Sequence, residues 1–126
     1  MILYLDTHVV VWLYAGLTHE FSEHAVKLIE HNDLLISPMV QLELVYLHET
    51  KRIMHSANTI INELQSRIGL KICDISFETI IHKAITLDWT RDPFDRLIVA
   101  QTLCDKGKLL TKDKSIRKNC KSAVWE

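Results

Sequence analysis

The chain of 126 residues is poor in glycine and proline, with three glycines and two prolines. Long flexible linkers are therefore not expected. The glycine-rich motifs of nucleotide binding, GxGxxG and the P-loop, do not occur, and neither does the GxSxG motif of serine esterases. These absences argue against dinucleotide-binding, P-loop and serine-esterase functions.

Cysteine is also scarce and is not arranged for metal binding. The three cysteines are widely spaced and lie outside any CxxC motif, which argues against a disulfide framework and against a cysteine-based zinc site. The seven histidines never form an HxxxH or HExxH pair. Zinc-hydrolase chemistry is therefore not indicated.

No apolar run approaches the ~18 residues that a membrane-spanning helix needs. The first residues, MILYLD, lack the basic region of a signal peptide. Hydrophobic residues make up 48% of the chain and charged residues 25%, as is typical of globular proteins. We expect one domain over residues 1–126, a cytoplasmic location and no membrane association.

Charge is nearly balanced overall, at −1, but it is unevenly distributed. Residues 105–121 contain seven lysines and arginines against two aspartates. Such a segment is typical either of a surface that contacts phosphate groups or of an ordinary solvated surface. Charge alone leaves both interpretations open.

Short apolar runs alternate with segments that carry helix caps, which predicts strands alternating with helices. No NG or DG hairpin signal separates the strands, so the pattern favours an α/β fold. We expect a three-layer sandwich in which helices flank a mainly parallel sheet of four to five strands. Predicted strands cover residues 1–5, 33–36, 70–73, 109–111 and 123–125; predicted helices cover about 7–15, 22–31, 38–50, 56–68, 76–87 and 93–107.

Four acidic residues are placed where such a fold binds ligands, outside the carboxyl ends of its strands. Asp6 follows the first predicted strand, Glu43 lies in the helix after the second, and Asp113 follows the fourth. Asp95 begins the helix that precedes the fourth strand. Clustered carboxylates repel one another unless a cation lies between them, and oxygen ligands favour Mg²⁺ or Mn²⁺.

Glu43 is the most informative of these acids because its helical neighbours are apolar. The positions three and four residues away are Met39, Val40, Tyr46 and Leu47. A carboxylate moved out of water needs a cation or hydrogen bonds from elsewhere in the chain. We therefore expect a distant part of the molecule to supply that partner.

Each of the other acids also has a purely structural interpretation. Asp6 and Asp92 are good N-caps, the latter followed by Pro93. Asp95 is placed to interact favourably with a helix dipole, and Asp113 is compatible with a turn between two lysines. The spacing alone does not choose between these interpretations and a catalytic site.

Four segments, taken in order, resemble the successive acidic motifs of the PIN-domain family, particularly the VapC-type toxin ribonucleases. They are YLDTH at residues 4–8, ISPMVQLE ending at Glu43, RDPFDRLIVAQ at 91–101 and LLTKD at 109–113. This resemblance implies a Mg²⁺- or Mn²⁺-dependent endoribonuclease that acts on RNA, forms a homodimer and is paired with an antitoxin protein. Apolar helical positions compatible with dimerisation or with the core are Trp12, Tyr14, Ile60, Ile61 and Leu64.

The resemblance also implies roles for individual residues. Asp6, Glu43, Asp95 and Asp113 match the catalytic, metal-binding carboxylates; Asp95 corresponds better than Asp92, which is a candidate outer ligand. Thr7 and Thr111 match small hydroxyl residues that support it. The family often has serine or asparagine where His8 stands. The basic residues beside the acids are candidate contacts to the RNA backbone: Arg96, Lys112 and Lys114.

Two other functions stay open from the sequence. An aspartate directly after the first strand is also typical of haloacid-dehalogenase phosphatases, but their DxD motif would require an aspartate where His8 stands. A non-catalytic RNA- or protein-binding module of the same fold is the remaining alternative. Binding by such a module would be indifferent to Asp6→Asn.

Overall fold

The computed structural model describes all residues from 1 to 126. Five strands alternate with helices, as the sequence predicts. The strands are β1 (Ile2–Leu5), β2 (Asp33–Ile36), β3 (Lys71–Ile72), β4 (Lys108–Leu110) and β5 (Ala123–Val124). The helices are α1 (Thr7–Ala15), α2 (Glu23–His31), α3 (Pro38–Glu49), α4 (Ala57–Ile68), α5 (Phe77–Ile85), α6 (Pro93–Cys104) and α7 (Lys114–Asn119).

The strands form one sheet in the order β3-β2-β1-β4-β5, and every neighbouring pair is parallel. The helices flank this sheet, which confirms the predicted α/β architecture. β1 lies at the centre, between β2 and β4. The residue after β1, Asp6, is therefore placed in the middle of the sheet's carboxyl edge.

The core is built around the central strand. Leu3, Tyr4 and Leu5 have no exposed surface, as expected of a strand covered on both faces. Ile60, Ile61 and Leu64 on α4 are also buried, so the core interpretation applies to them and they are not free for dimerisation. None of the helices has the length and apolar character required to span a bilayer.

Helix boundaries follow the caps that the sequence contains. Ser37 accepts a hydrogen bond from the backbone nitrogen of Met39 at the start of α3, and Ser56 accepts one from Thr59 at the start of α4. Gly69 ends α4 in the left-handed conformation, with φ of 68°. These local signals explain why the predicted starts of the helices are accurate.

The structure differs from the prediction mainly in the basic segment. α7 was not predicted, because its six residues are too few to show an apolar period and five of them are polar. A short 3₁₀ turn at Thr18–Glu20 was also missed. α5 and α6 end two to three residues earlier than expected, at Ile85 and Cys104, where the structure places C-caps at Thr86 and Asp105.

Candidate active site

The predicted acids come together at one cavity of about 400 Å³. It lies beyond the carboxyl ends of β1 and β4, where the fold predicts a ligand site. Its wall contains five carboxylates together with the ring of His8 and the side chain of Lys112. The carboxylates belong to Asp6, Glu43, Asp92, Asp95 and Asp113.

Asp6 is the most deeply buried of the five, with 7% of its surface exposed. One carboxylate oxygen accepts a hydrogen bond from the backbone nitrogen of Thr7 at 2.8 Å, and the other accepts one from Thr111 Oγ1 at 2.6 Å. Asp6 thus caps α1 while facing the cavity. Burial raises the pKa of Asp6, and the two hydrogen bonds oppose that rise.

The distant partner expected for Glu43 is a threonine hydroxyl. Thr7 Oγ1 donates a hydrogen bond to Glu43 Oε1 at 2.5 Å and so joins α1 to α3. Burial raises the pKa of the half-buried Glu43. The hydrogen bond from Thr7 lowers that pKa, whereas the nearby charge of Asp6 raises it.

Asp95 lies in the first turn of α6, and its carboxylate accepts no hydrogen bond from the protein. Burial, followed by the charge of Asp92, raises the pKa of Asp95 to about 7. Asp6, Asp113 and Glu43 add to this rise. The charges of all four other acids of the cavity thus act in the same direction on the pKa of Asp95.

Asp92 and Asp113 have cap functions as well as positions in the cavity wall. Asp92 accepts hydrogen bonds from the backbone nitrogens of Phe94 and Asp95, at 2.8 and 3.3 Å. Asp113 accepts one from the nitrogen of Ile116 at 2.9 Å and thereby starts α7. The N-cap predicted for Asp92 is therefore correct, whereas Asp113 caps a helix where a turn was expected; both residues still line the cavity.

The two threonines connect the acids. The backbone nitrogen of Asp113 donates to Thr111 Oγ1 at 3.1 Å, and that hydroxyl donates to Asp6. With the bonds from Thr7 to Asp6 and Glu43, a continuous hydrogen-bonded path runs from the start of α7 to the middle of α3. Both threonines are completely buried.

The chemistry of the donors suits a hard divalent cation. None of the five carboxylates takes part in an ion pair with lysine, arginine or histidine, and every ligand atom they offer is oxygen. As the side chains stand, no group of three or more histidine, cysteine or carboxylate side chains is arranged to hold one metal ion. Asp6 and Glu43 are held instead by the two threonines.

The basic residues predicted to contact RNA have three different environments. Lys112 Nζ lies 3.3 Å from Glu20 Oε2, and it is 5.7 Å from the ring centre of Trp12 and 5.9 Å from that of Trp125. Lys114 is exposed at the start of α7. The guanidinium of Arg96 donates to the backbone oxygens of Ala84 and Ile85, so it completes the end of α5.

The surroundings of Lys112 were missed by the sequence analysis. Glu20 is 92 positions away from Lys112 along the chain, and Trp125 lies directly after β5. Trp12 had been noted as an apolar helical position and Trp125 as the last residue of the fifth predicted strand, but neither had been connected with Lys112. No local pattern signals these neighbours, because they meet only when β4 and β5 pair beside α1.

Comparison with known proteins agrees with the α/β fold described above. The family model of the PIN domain matches residues 3–122 of the sequence. No curated protein gives a significant match.

Three solved structures resemble the chain over nearly its whole length. VapBC2 from Rickettsia felis, in a crystal structure with a promoter DNA fragment, is 19% identical, with a TM-score of 0.72 and coverage of 100% of this chain and 98% of that one. A toxin-antitoxin complex from Klebsiella pneumoniae is 17% identical, with a TM-score of 0.67 and coverage of 96% and 94%. VapBC-1 from nontypeable Haemophilus influenzae is 18% identical, with a TM-score of 0.66 and coverage of 100% and 97%.

At these identities the three structures establish similarity of fold. The family-model match spans the strand that leads to Asp6, the helix that carries Glu43 and the segments of Asp95 and Asp113. The chain therefore belongs to the PIN-domain family, whose members are generally nucleases.

Proposed function

We propose that this PIN-domain protein is a metal-dependent endoribonuclease that hydrolyses RNA phosphodiester bonds. The observation that carries the proposal is the acidic cavity: carboxylates from four separate parts of the chain line it, and none has an ion-pair partner. So many acids facing one another are unfavourable unless a cation receives their charge.

Asp6, Glu43, Asp95 and Asp113 are the residues that would hold Mg²⁺ or Mn²⁺. When bound, such a cation activates water and stabilises the charge that develops at a phosphodiester under attack. The protein's own contribution is to orient the carboxylates. Thr111 and Thr7 do so by holding Asp6 and Glu43 through their hydroxyl groups.

Lys112 and Lys114 are proposed to contact the RNA backbone beside the acids. Lys112 borders the acidic cavity, and the rings of Trp12 and Trp125 hold its ammonium group there. Arg96 is less suited to this role, because its guanidinium is already bonded to the end of α5. Its main contribution is to join α5 and α6.

We also propose that the protein is the toxin of a toxin-antitoxin pair and acts in the cytoplasm. The proposal is supported by the similar structures, which are VapBC or toxin-antitoxin complexes. A homodimer would use the face of α3 and α5, where Leu42 and Phe77 are 54% and 71% exposed. These two side chains line one largely apolar cavity, and covering them would be favourable.

The test is cleavage of end-labelled RNAs, including a tRNA pool, by purified protein with Mg²⁺, with Mn²⁺ and with EDTA. Asp6→Asn and Glu43→Gln are purified in the same way. Asp33→Asn is the matched control, because Asp33 is exposed at the start of β2 and forms no ion pair.

We expect metal-dependent cutting that falls about a hundredfold or more in Asp6→Asn and Glu43→Gln but not in Asp33→Asn. Cutting that persists equally in all variants, or in EDTA, would point to a contaminating ribonuclease and remove support for the proposal. RNA binding without cutting, unchanged by Asp6→Asn, would instead indicate a non-catalytic module of the same fold.

A further inference from the structure

A second cavity, of about 550 Å³, adjoins the acidic one and has different chemistry. The two cavities share His8, Glu43 and Asp92, so they form one continuous depression. The far wall of the second cavity contains Tyr46 and Phe94 together with Arg52. An aromatic surface and a cation therefore lie directly beside the carboxylates.

The aromatic wall is partly exposed to solvent. Tyr46 lies three residues after Glu43 on α3 and is 42% exposed. Its ring centre is 5.8 Å from that of Phe94, with 32° between the ring planes. That separation leaves no room for a third ring between them. A ligand ring would therefore lie against the exposed surface of this aromatic pair, next to Arg52.

Arg52 is placed over this ring by the backbone. After α3 ends, Lys51 adopts a positive φ of 62°, and the nitrogen of Arg52 donates to the oxygen of Leu47 at 2.9 Å. The chain is thereby turned back along the last turn of the helix. The Arg52 guanidinium lies 6.0 Å from the centre of the Tyr46 ring and forms no hydrogen bond or ion pair.

We propose that this second cavity binds an unpaired nucleobase of the RNA, next to the bond held in the acidic cavity. This inference rests on the proposed function. Single-stranded RNA is recognised by stacking of bases on aromatic rings and on arginine, and Tyr46 and Arg52 supply both.

The Arg52 guanidinium has only donors, in a planar fork. It therefore selects a base edge with two neighbouring acceptors, and guanine offers O6 and N7. The cavity would thus favour guanine over uracil at this position of the RNA.

The probe is a pair of fluorescein-labelled RNA octamers, one all uridine and one with a single central guanosine. Fluorescence anisotropy measures their binding with EDTA and, in the Asp6→Asn background, with Mg²⁺. The variants are Tyr46→Leu and Arg52→Gln. Matched controls are Ile85→Ala, an exposed apolar residue at the end of α5, and Lys27→Gln, an exposed cation on α2.

We expect Tyr46→Leu to weaken binding of both octamers on the order of tenfold. Arg52→Gln should remove the preference for the octamer with guanosine. The two controls should bind as the unchanged protein does. Wild-type RNA affinity in Tyr46→Leu, or absence of RNA binding by the unchanged protein, would overturn the proposal that the second cavity binds a nucleobase.

The experiments can contradict the nuclease proposal and the nucleobase-site proposal independently of each other. Loss of binding in Tyr46→Leu, with cutting that is unaffected by Asp6→Asn, would leave the nucleobase site standing without the nuclease. Metal-dependent cutting lost in Asp6→Asn, with wild-type RNA binding in Tyr46→Leu, would overturn the nucleobase site alone.

Discussion

Among single residues, Asp95 has the clearest dependence on pH. Its pKa is raised to about 7, whereas an unfolded aspartate titrates near pH 4. Below about pH 4 Asp95 is protonated in both the folded and the unfolded chain, so the difference in pKa does not change the folding stability. Between about pH 4 and 7 only the unfolded chain loses the proton, so folding stability decreases across that window and then levels off.

Asp95→Asn should therefore stabilise the protein at high pH and have little effect at low pH. After allowance for solvent screening of this half-exposed group, we expect a gain of about 1 to 2 kcal/mol in the free energy of unfolding at pH 8. Urea unfolding at pH 4 and pH 8, with exposed Asp33→Asn as control, measures this gain. An equal difference at both pH values would contradict the explanation.

Residue-level prediction from sequence was successful for the positions of the acids and incomplete for their partners. Glu43 was expected to need a partner from another part of the chain, and the structure supplies Thr7, 36 positions away. The roles of Arg96 at the end of α5 and of Glu20 beside Lys112 had no signal in the sequence. Such pairings depend on side-chain directions that no spacing rule contains.

At the level of the elements, Gly69 provides a direct test of a helix end. It closes α4 with φ of 68°, and no atom lies within 4 Å of the place where a Cβ would be. Gly69→Ala should therefore lower the free energy of unfolding by about 1 to 2 kcal/mol, through backbone strain alone.

Gly69→Asn is the informative companion, because asparagine tolerates the left-handed conformation better than alanine does. Thermal and urea unfolding should rank the three proteins as glycine, asparagine and alanine in decreasing stability. If alanine were as stable as glycine, the left-handed cap would not contribute to the stability of α4.

The helices also show which sequence signals were sufficient to predict where a helix begins. Serine and aspartate caps marked the starts of six helices because each cap is a contact within four residues. α7 was missed because it is short and largely polar and is held by Asp113 and by burial of Ile116. Its stability comes from the fold rather than from its own sequence.

For the whole molecule, a bound cation would join parts of the chain that lie far apart. Asp6, Glu43, Asp95 and Asp113 lie beside β1, in α3, in α6 and before α7. If they hold one Mg²⁺ or Mn²⁺ in the folded state only, the ion should raise the unfolding temperature. At about a hundred times the dissociation constant, the gain is about 2.7 kcal/mol.

Differential scanning calorimetry with Mg²⁺, compared with NaCl of equal ionic strength, measures this gain. Asp6→Asn should lose most of it, whereas Asp33→Asn should retain it. An equal rise in all three proteins would indicate a general salt effect and would count against a cation in the acidic cavity.

The five strands, six of the seven helices, the parallel sheet and the acids at its carboxyl edge could all be predicted from the sequence. These features follow from local patterns: apolar runs, caps, and the rule that parallel strands end on the same side. Asp6 and Asp113 could be placed there because each follows a strand directly or within three residues.

The contacts of the acids with distant residues depend on the fold. The order β3-β2-β1-β4-β5 puts β4 beside β1, and this brings Thr111 to Asp6 across 105 positions of the chain. The same packing set Tyr46 and Arg52 beside the acidic cavity and committed Arg96 to α5. A hydrogen bond requires atoms within about 3 Å, and only the folded chain brings such distant residues that close.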